Sequence, residues 1–234
     1  MNQEKIVCRP YQLDAIDELT TVAASGKRRL LLQAATGSGK TICAASIINN
    51  CVKNNKHVLF LAHRREIVNQ TEDKLKLFGV ECGIIMAGEF YDTTQLVKVA
   101  SIQSLHSWAI RRKHENVPQA DLIICDETHH LGSSKQWQDI INIYPEAIIL
   151  GMTATPINRR GKGLGHFFDA MIQCPSISKL TESGYLVPAK YYAPSIPDLK
   201  GIKIQAGDYN EKQLEDRMDK PKLVGDVVEN WTKI

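Results

Sequence analysis

The strongest chemical signal in the chain is Ala34-Ala35-Thr36-Gly37-Ser38-Gly39-Lys40-Thr41. Leu30-Leu31-Leu32-Gln33 ahead of it reads as a short buried strand, and the apolar-periodic run from Ile42 to Val52 behind it reads as a helix. A strand, a small-residue loop and a helix N-terminus aim backbone N–H groups and a positive dipole end at one point, which suits a polyphosphate. In that geometry Lys40 reaches the β- and γ-phosphates and the Thr41 hydroxyl helps hold Mg²⁺, so ATP with Mg²⁺ is the expected ligand pair. Thr36, Gly37, Ser38 and Gly39 form the wall of the cradle. The strict form of this loop has glycine where Ala34 stands, and an ordinary glycine-rich strand-to-helix turn is the alternative reading.

A second group of chemistry-bearing residues, Asp126-Glu127-Thr128-His129, closes an apolar run. A carboxylate at such a strand end can face the phosphate loop and hold Mg²⁺ through water, which is the role read for Asp126. The neighbouring Glu127 can orient and deprotonate a water attacking the γ-phosphate. By itself the pair could be a solvated Asp-Glu at a strand end; its meaning comes from Lys40-Thr41 upstream. Zinc is disfavoured, because His129 and His130 are adjacent on an extended segment and point apart.

The elements that must position these groups are legible as a series. Strand-like runs occur at 30–33, 57–62, 82–86, 96–101, 121–126 and 147–152, and most are continuously apolar, as strands buried on both faces are. Helical patterns at 64–78 and 104–112 lie between them. Alternation of this kind predicts an α/β fold with a parallel sheet covered on both sides and ligands at the carboxyl ends of the strands. A further helix is predicted from Ile177 to Tyr185, ending near Gly184, and Pro188, Pro194 and Pro197 then mark an extended path. Leu223, Val227, Val228, Trp231 and Ile234 follow at helical spacing, so the chain divides into 1–195 and an extension, 196–234.

With 234 residues, 43% hydrophobic and 24% charged, the chain has the composition of a soluble globular protein. A net charge of +3 does not by itself point to nucleic acid, and the short basic runs at 27–29, 63–65, 111–114 and 159–162 matter only if they share a surface. The six cysteines show no CxxC pair, no N-terminal apolar segment resembles a leader, and no stretch approaches a membrane span, so a reducing cytoplasm is the expected compartment.

Taken in order, these motifs resemble the superfamily-two helicases and translocases of the DEAH/DExH-box kind, from residue 9 to about 190. The resemblance implies a RecA-like P-loop domain. Arg9-Pro10-Tyr11-Gln12 resembles the adenine-recognition motif, so Gln12 would bond the adenine edge with Arg9 beside it. Ala62-His63-Arg64-Arg65-Glu66 and Ser101-Ile102-Gln103-Ser104-Leu105 resemble motifs that touch the nucleic-acid backbone, which assigns that role to His63, Arg64, Ser101 and Gln103, with Arg159 after a later strand. Thr153-Ala154-Thr155-Pro156 resembles the motif that couples the ATP site to the nucleic-acid groove, through Thr153, Thr155 and His129. Glu182-Ser183-Gly184-Tyr185-Leu186-Val187-Pro188 is similar to a segment of bacterial and phage repair-type helicases, RadD-like and XPB-like. DNA is therefore expected over RNA, and with aromatics at only 6%, backbone tracking over base stacking.

Members of this family work with two RecA-like domains, and the second carries an arginine finger. No Gln-x-x-Gly-Arg-x-x-Arg-like segment follows Pro188. Loss of such a finger typically costs about 10³–10⁵ in turnover. The chain alone is expected to be monomeric, to bind ATP weakly and to hydrolyse it slowly. Competing readings are a nucleotide-dependent binding module without a full motor, and the motor part of a restriction or remodelling complex. A P-loop small-molecule kinase leaves Asp126–His129 and Thr153–Pro156 unexplained.

Overall fold

The six apolar runs and one further segment form the seven strands of one all-parallel sheet in the order β3-β4-β2-β5-β6-β1-β7. The strands are β1 (Arg29–Gln33), β2 (Val58–Ala62), β3 (Cys82–Ile85), β4 (Val97–Ser101), β5 (Leu122–Asp126), β6 (Ile148–Thr153) and β7 (Ala170–Gln173). The helices are α1 (Pro10–Ala24), α2 (Lys40–Lys53), α3 (Arg65–Leu77), α4 (Ile102–His106), α5 (Lys135–Ile141) and α6 (Ile177–Glu182). These come from a computed structural model that describes residues 7–87, 94–111, 117–128, 131, 134–158, 161–189, 198–205 and 208–218. The chain divides into two compact units, Met1–Val187 and Pro188–Ile234, so the first unit ends earlier than the 1–195 read from sequence. Within the second unit, β8 (Ile204–Gln205) and β9 (Asp208–Tyr209) pair antiparallel, and α7 (Glu211–Met218) follows. The apolar repeat from Leu223 to Ile234 lies outside the described residues.

Strand periodicity sorts the core into two layers. Leu30, Leu32, Phe60, Val99, Ile124 and Met152 face one side and pack with α1, α2 and α3 residues such as Leu19, Ile48 and Leu75. Leu31, Leu59, Leu61, Ile123, Cys125 and Ile149 face the other and pack with Leu105, Trp137, Ile140 and Phe168. The thiols serve this packing: burial pushes the pKa of Cys43 and Cys82 up to about 12 and raises that of Cys125 as well, which leaves them protonated.

Three elements of the first unit are absent from the sequence reading, each for a physical reason. The α1 stripe contains Tyr11 and Gln12 as well as Ala15 and Leu19, so its buried face is half polar. The strand β7 lies at the sheet edge with only Ile172 buried, so it shows no apolar run. The α5 helix is seven residues long, too short for a periodic signal, and is fixed by Trp137, Ile140 and Ile141. The helix predicted at 104–112 begins earlier, at Ile102, and widens into a π-helical turn over Ser107–Arg111. The helix predicted from Ile177 stops at Glu182.

At the amino edge of the sheet, the Asp121 carboxylate accepts from the His57 N–H at 2.8 Å and from Lys56 Nζ at 3.1 Å. The His57 N–H first, and the Lys56 ammonium with it, favour the ionised carboxylate and hold its pKa below the ordinary carboxylate value. The basic run 27–29 is spent at the same edge. Asp169 Oδ2 accepts from the Arg28 and Arg29 N–H groups, Arg28 pairs with Glu146, and Arg29 lies over the Phe167 ring. That run is therefore structural and sits opposite the motif-bearing edge. Phe60 is fully buried at mid-sheet. Replacing Phe60 with Ala is expected to cost about 3–5 kcal/mol of unfolding free energy in urea titrations.

Candidate nucleotide and nucleic-acid site

The phosphate-type loop grows directly out of strand pairing. Gln33 is level with Thr153 across β1 and β6, and Ala34 N–H then donates to the Thr153 carbonyl at 3.0 Å. Ala34 thus continues the ladder, is buried, and has no positive φ. Alanine is at home where the strict motif has glycine. The two glycines that follow do need to be glycine, with φ of +80° at Gly37 and +87° at Gly39. Gly39 also caps α2, so the first turn of that helix presents Lys40 and Thr41 beside its unpaired N–H groups. Lys40 Nζ donates back to the Ala34 carbonyl at 3.1 Å, which holds the ammonium at the mouth of the loop. Thr36 and Gly37 are exposed there, whereas Ser38 is buried and its Oγ donates to the Ala35 carbonyl at 2.6 Å.

The Arg9–Gln12 motif is bolted to this loop from the side. Tyr11 Oη and Gln12 Nε2 both donate to the Ser38 carbonyl at 2.7 Å. Gln12 Oε1 accepts from the Arg9 N–H at 2.8 Å. The Gln12 amide, only 2% exposed, is therefore a brace between the start of α1 and the loop. Its carbonyl and amino groups each retain further bonding capacity, so bracing does not exclude the expected contact with a base.

Asp126 ends β5 and is level with Met152 on β6, which is level with Leu32 on β1. Three adjacent strands thus finish at one edge, with the backbones of Asp126 and Leu32 about 10 Å apart across the sheet. Glu127 follows with φ +56°, an uncommon conformation for a residue with a side chain. Thr128 secures that turn: it is fully buried, and its Oγ1 donates to the Met152 carbonyl at 3.0 Å. A Cβ on Gly151 would come within 2.7 Å of the Thr128 methyl and 2.5 Å of the Phe168 ring, so β6 has glycine where this turn leans on it. Two residues on, Thr153 Oγ1 donates to the Thr155 carbonyl at 2.8 Å and accepts from its N–H at 3.1 Å. The loop, the Asp-Glu turn and Thr153–Thr155 therefore share a single strand end.

The residues expected at nucleic acid gather at the other half of the same edge. Ala62 and Ser101 are level across β2 and β4. Gln103 Nε2 donates to the His63 carbonyl at 3.0 Å and lies 3.1 Å from His63 Nδ1, while Ser101 Oγ donates to Gln103 Oε1 at 2.9 Å. Ser101 also accepts from the Ser104 N–H and so caps α4. Arg64, the residue ahead of α3, is exposed; Arg65 is engaged internally, with Nη2 donating to the Ala87 carbonyl at 2.7 Å. His129, His130, Arg159 and Arg160 lie outside the described residues. Sequence reasoning gave no part to Thr128 beyond its place in the motif. A hydroxyl between a charged pair and the next loop was its only signal.

Among the described residues, no group of three His, Cys, Asp or Glu side chains could enclose a metal ion. Mg²⁺ asks for less: it is held through one or two protein oxygens while phosphate and water supply the rest, and Thr41 and Asp126 offer hard oxygen donors of that kind. The left-handed glycines of the loop and the helix N-terminus that follows fit a polyphosphate on the same chemical grounds.

A protein-family profile described as "Type III restriction enzyme, res subunit" matches residues 5–158. The chain is 31% identical over 204 residues to a 51.5 kDa protein of Lactococcus phage (isolate 7-9), covering 87% of this chain and 41% of that one. It is 31% identical over 221 residues to the Type I restriction enzyme EcoAI endonuclease subunit of Escherichia coli, covering 90% of this chain and 27% of that one. Among solved structures, the Pyrococcus furiosus Hef helicase domain superposes with a TM-score of 0.58 at 18% identity, covering 71% of this chain and 37% of that one. The UvsW helicase of bacteriophage T4 gives 0.55 at 19%, covering 72% and 60%. These likenesses carry the fold.

Gly39 offers a direct test of how the loop is built, since a Cβ there would lie 2.4 Å from Gln12 Nε2. Gly39→Ala is expected to combine about 1–2 kcal/mol of left-handed backbone strain with displacement of that brace, and to show both a lower Tm and weaker nucleotide binding. By its profile match and its motif order, the chain belongs to the Type III restriction enzyme res-subunit family and carries the N-terminal RecA-like domain of the superfamily-two helicase and translocase ATPases.

Proposed function

We propose that this chain binds ATP with Mg²⁺ and a polynucleotide on one sheet edge and serves as the first half of a DNA-directed motor. The observation that supports the reading is the level ending of β1, β6 and β5, since Thr153 ends β6, Asp126 ends β5 with Glu127 next, and the loop leading to Lys40 leaves β1. In this reading the loop amides and Lys40 bind the phosphates. Thr41 and Asp126 hold Mg²⁺, which neutralises charge on the β- and γ-phosphates when bound. Glu127, in its left-handed turn just past the strand, orients the attacking water and takes its proton.

His63, Arg64 and Gln103, with Ser101 fixing Gln103, would contact the phosphodiester backbone, and Arg159 extends that set. Such contacts give register without base specificity and weaken as salt rises. Thr153 and Thr155, with His129, would relay between the two ligands, because Thr153 is bonded both to the loop and to its own following turn. DNA is proposed as the polymer. The motif resemblance to repair helicases supports that choice, and a structural neighbour, the Sulfolobus solfataricus SWI2/SNF2 ATPase core, was solved with dsDNA. The chain spans only 41% and 27% of the phage and EcoAI relatives, so a second RecA-like domain completing the site, and a cytoplasmic setting, belong to this proposal. The EcoAI likeness supports a second reading, the motor part of a restriction assembly.

ATP turnover measured alone and with single-stranded DNA, duplex DNA and RNA tests the assignment. Slow basal turnover, stimulation by DNA, and a loss of about 10²–10⁴ in kcat for Glu127→Gln with ATP binding retained are the expected results. Turnover unchanged in Glu127→Gln removes the assignment.

A further inference from the structure

The segment that follows α6 returns to the nucleotide loop. Gly184, at φ +74°, reverses the chain at the end of the helix. The Tyr185 and Leu186 N–H groups then both donate to the Leu180 carbonyl, at 2.8 and 3.1 Å, and Leu180 is buried. This anchored turn delivers two side chains to two different parts of the site. A Leu186 methyl lies 3.2 Å from where a Cβ on Gly37 would be, so it rests on the outer wall of the loop. Tyr185 packs edge-on against Tyr11, with ring centroids 5.2 Å apart, and the Arg9 guanidinium lies over its face at 5.1 Å. Arg9 Nη1 donates to the Tyr185 carbonyl at 3.4 Å and to Tyr11 Oη at 3.3 Å.

From these contacts we infer that Tyr185 and Leu186 form a strap that prepares the nucleotide site in two independent parts: Tyr185 for the base and Leu186 for the phosphates. An unrestrained arginine loses much rotamer freedom when it meets a ligand. Tyr185 holds Arg9 beforehand, by its ring face and its carbonyl, so less ordering remains when a purine docks beside it. Leu186 rests against the left-handed turn at Gly37 and so restricts the conformations open to that wall of the loop. Both are positioning residues, and the inference rests on the reading of this loop as an ATP site.

The test compares the 234-residue chain and its variants for binding of ATP and of inorganic tripolyphosphate, which carries the phosphates without the base. Tyr185→Ala is expected to weaken ATP about tenfold and leave tripolyphosphate within about twofold of wild type. Tyr185→Phe keeps the ring and the carbonyl and is expected to restore ATP affinity. Leu186→Ala is expected to weaken both ligands by a similar factor. A Tyr185→Ala chain that binds ATP and tripolyphosphate in the wild-type ratio overturns the inference, and so does an equal loss of both with a lowered Tm, which marks a merely structural residue. A wild-type chain that binds neither ligand defeats the ATP-site reading itself.

Discussion

The hydrogen bond from the Ala34 N–H to the Thr153 carbonyl carries the β1–β6 ladder one residue past the end of β1. Everything chemical in the first unit is arranged around that extension. It fixes where the loop leaves the sheet, and therefore where Gly37 and Gly39 must turn left-handed and where α2 begins. It also ties the loop to the strand whose preceding carbonyl, Met152, receives the Thr128 hydroxyl. Two backbone carbonyls on one strand end thus hold both the phosphate-type loop and the Asp-Glu turn in register. Movement of either group would reach the other through β6 rather than through solvent.

The two-layered core explains why this edge can bear such strain. Alternate residues of each central strand are committed to opposite helix layers, and a slip of one residue would turn every strand's buried set to the wrong face. With register so fixed, a left-handed Glu127 is tolerated, because Thr128 is sealed between β6 and Phe168. At the opposite edge, charges pair among themselves, as Arg28 with Glu146 and Lys56 with Asp121 do. The polarity of the parallel sheet therefore separates a structural edge from a chemical one.

Much of this organisation is legible in the residues. Six strands show themselves as apolar runs because they are buried on both faces, and the motifs fall at their carboxyl ends because a parallel sheet sends every loop of one kind to one edge. Where the sequence is silent, the reason is tertiary. The edge strand β7 has a single buried side chain, and α1 is held by tyrosine and glutamine bonds to Ser38 as well as by the packing of Ala15 and Leu19. Spacing shows that Gln12 belongs to a motif but not that it braces the loop. The contacts of Tyr185 and Leu186 join residues separated by almost the whole length of the first unit, and no local pattern announces them. Likewise the basic run at 27–29 looks like the run at 63–65 in composition, and only the topology assigns them to opposite edges.

The most direct measurement is an equilibrium titration of a fluorescent ATP analogue, with Mg²⁺, into the wild-type chain and into Lys40→Ala. Saturable, Mg²⁺-dependent binding by the wild type, abolished in a Lys40→Ala variant that keeps its fold, is the expected result. Binding of equal strength in both chains, or none in the wild type, would contradict it.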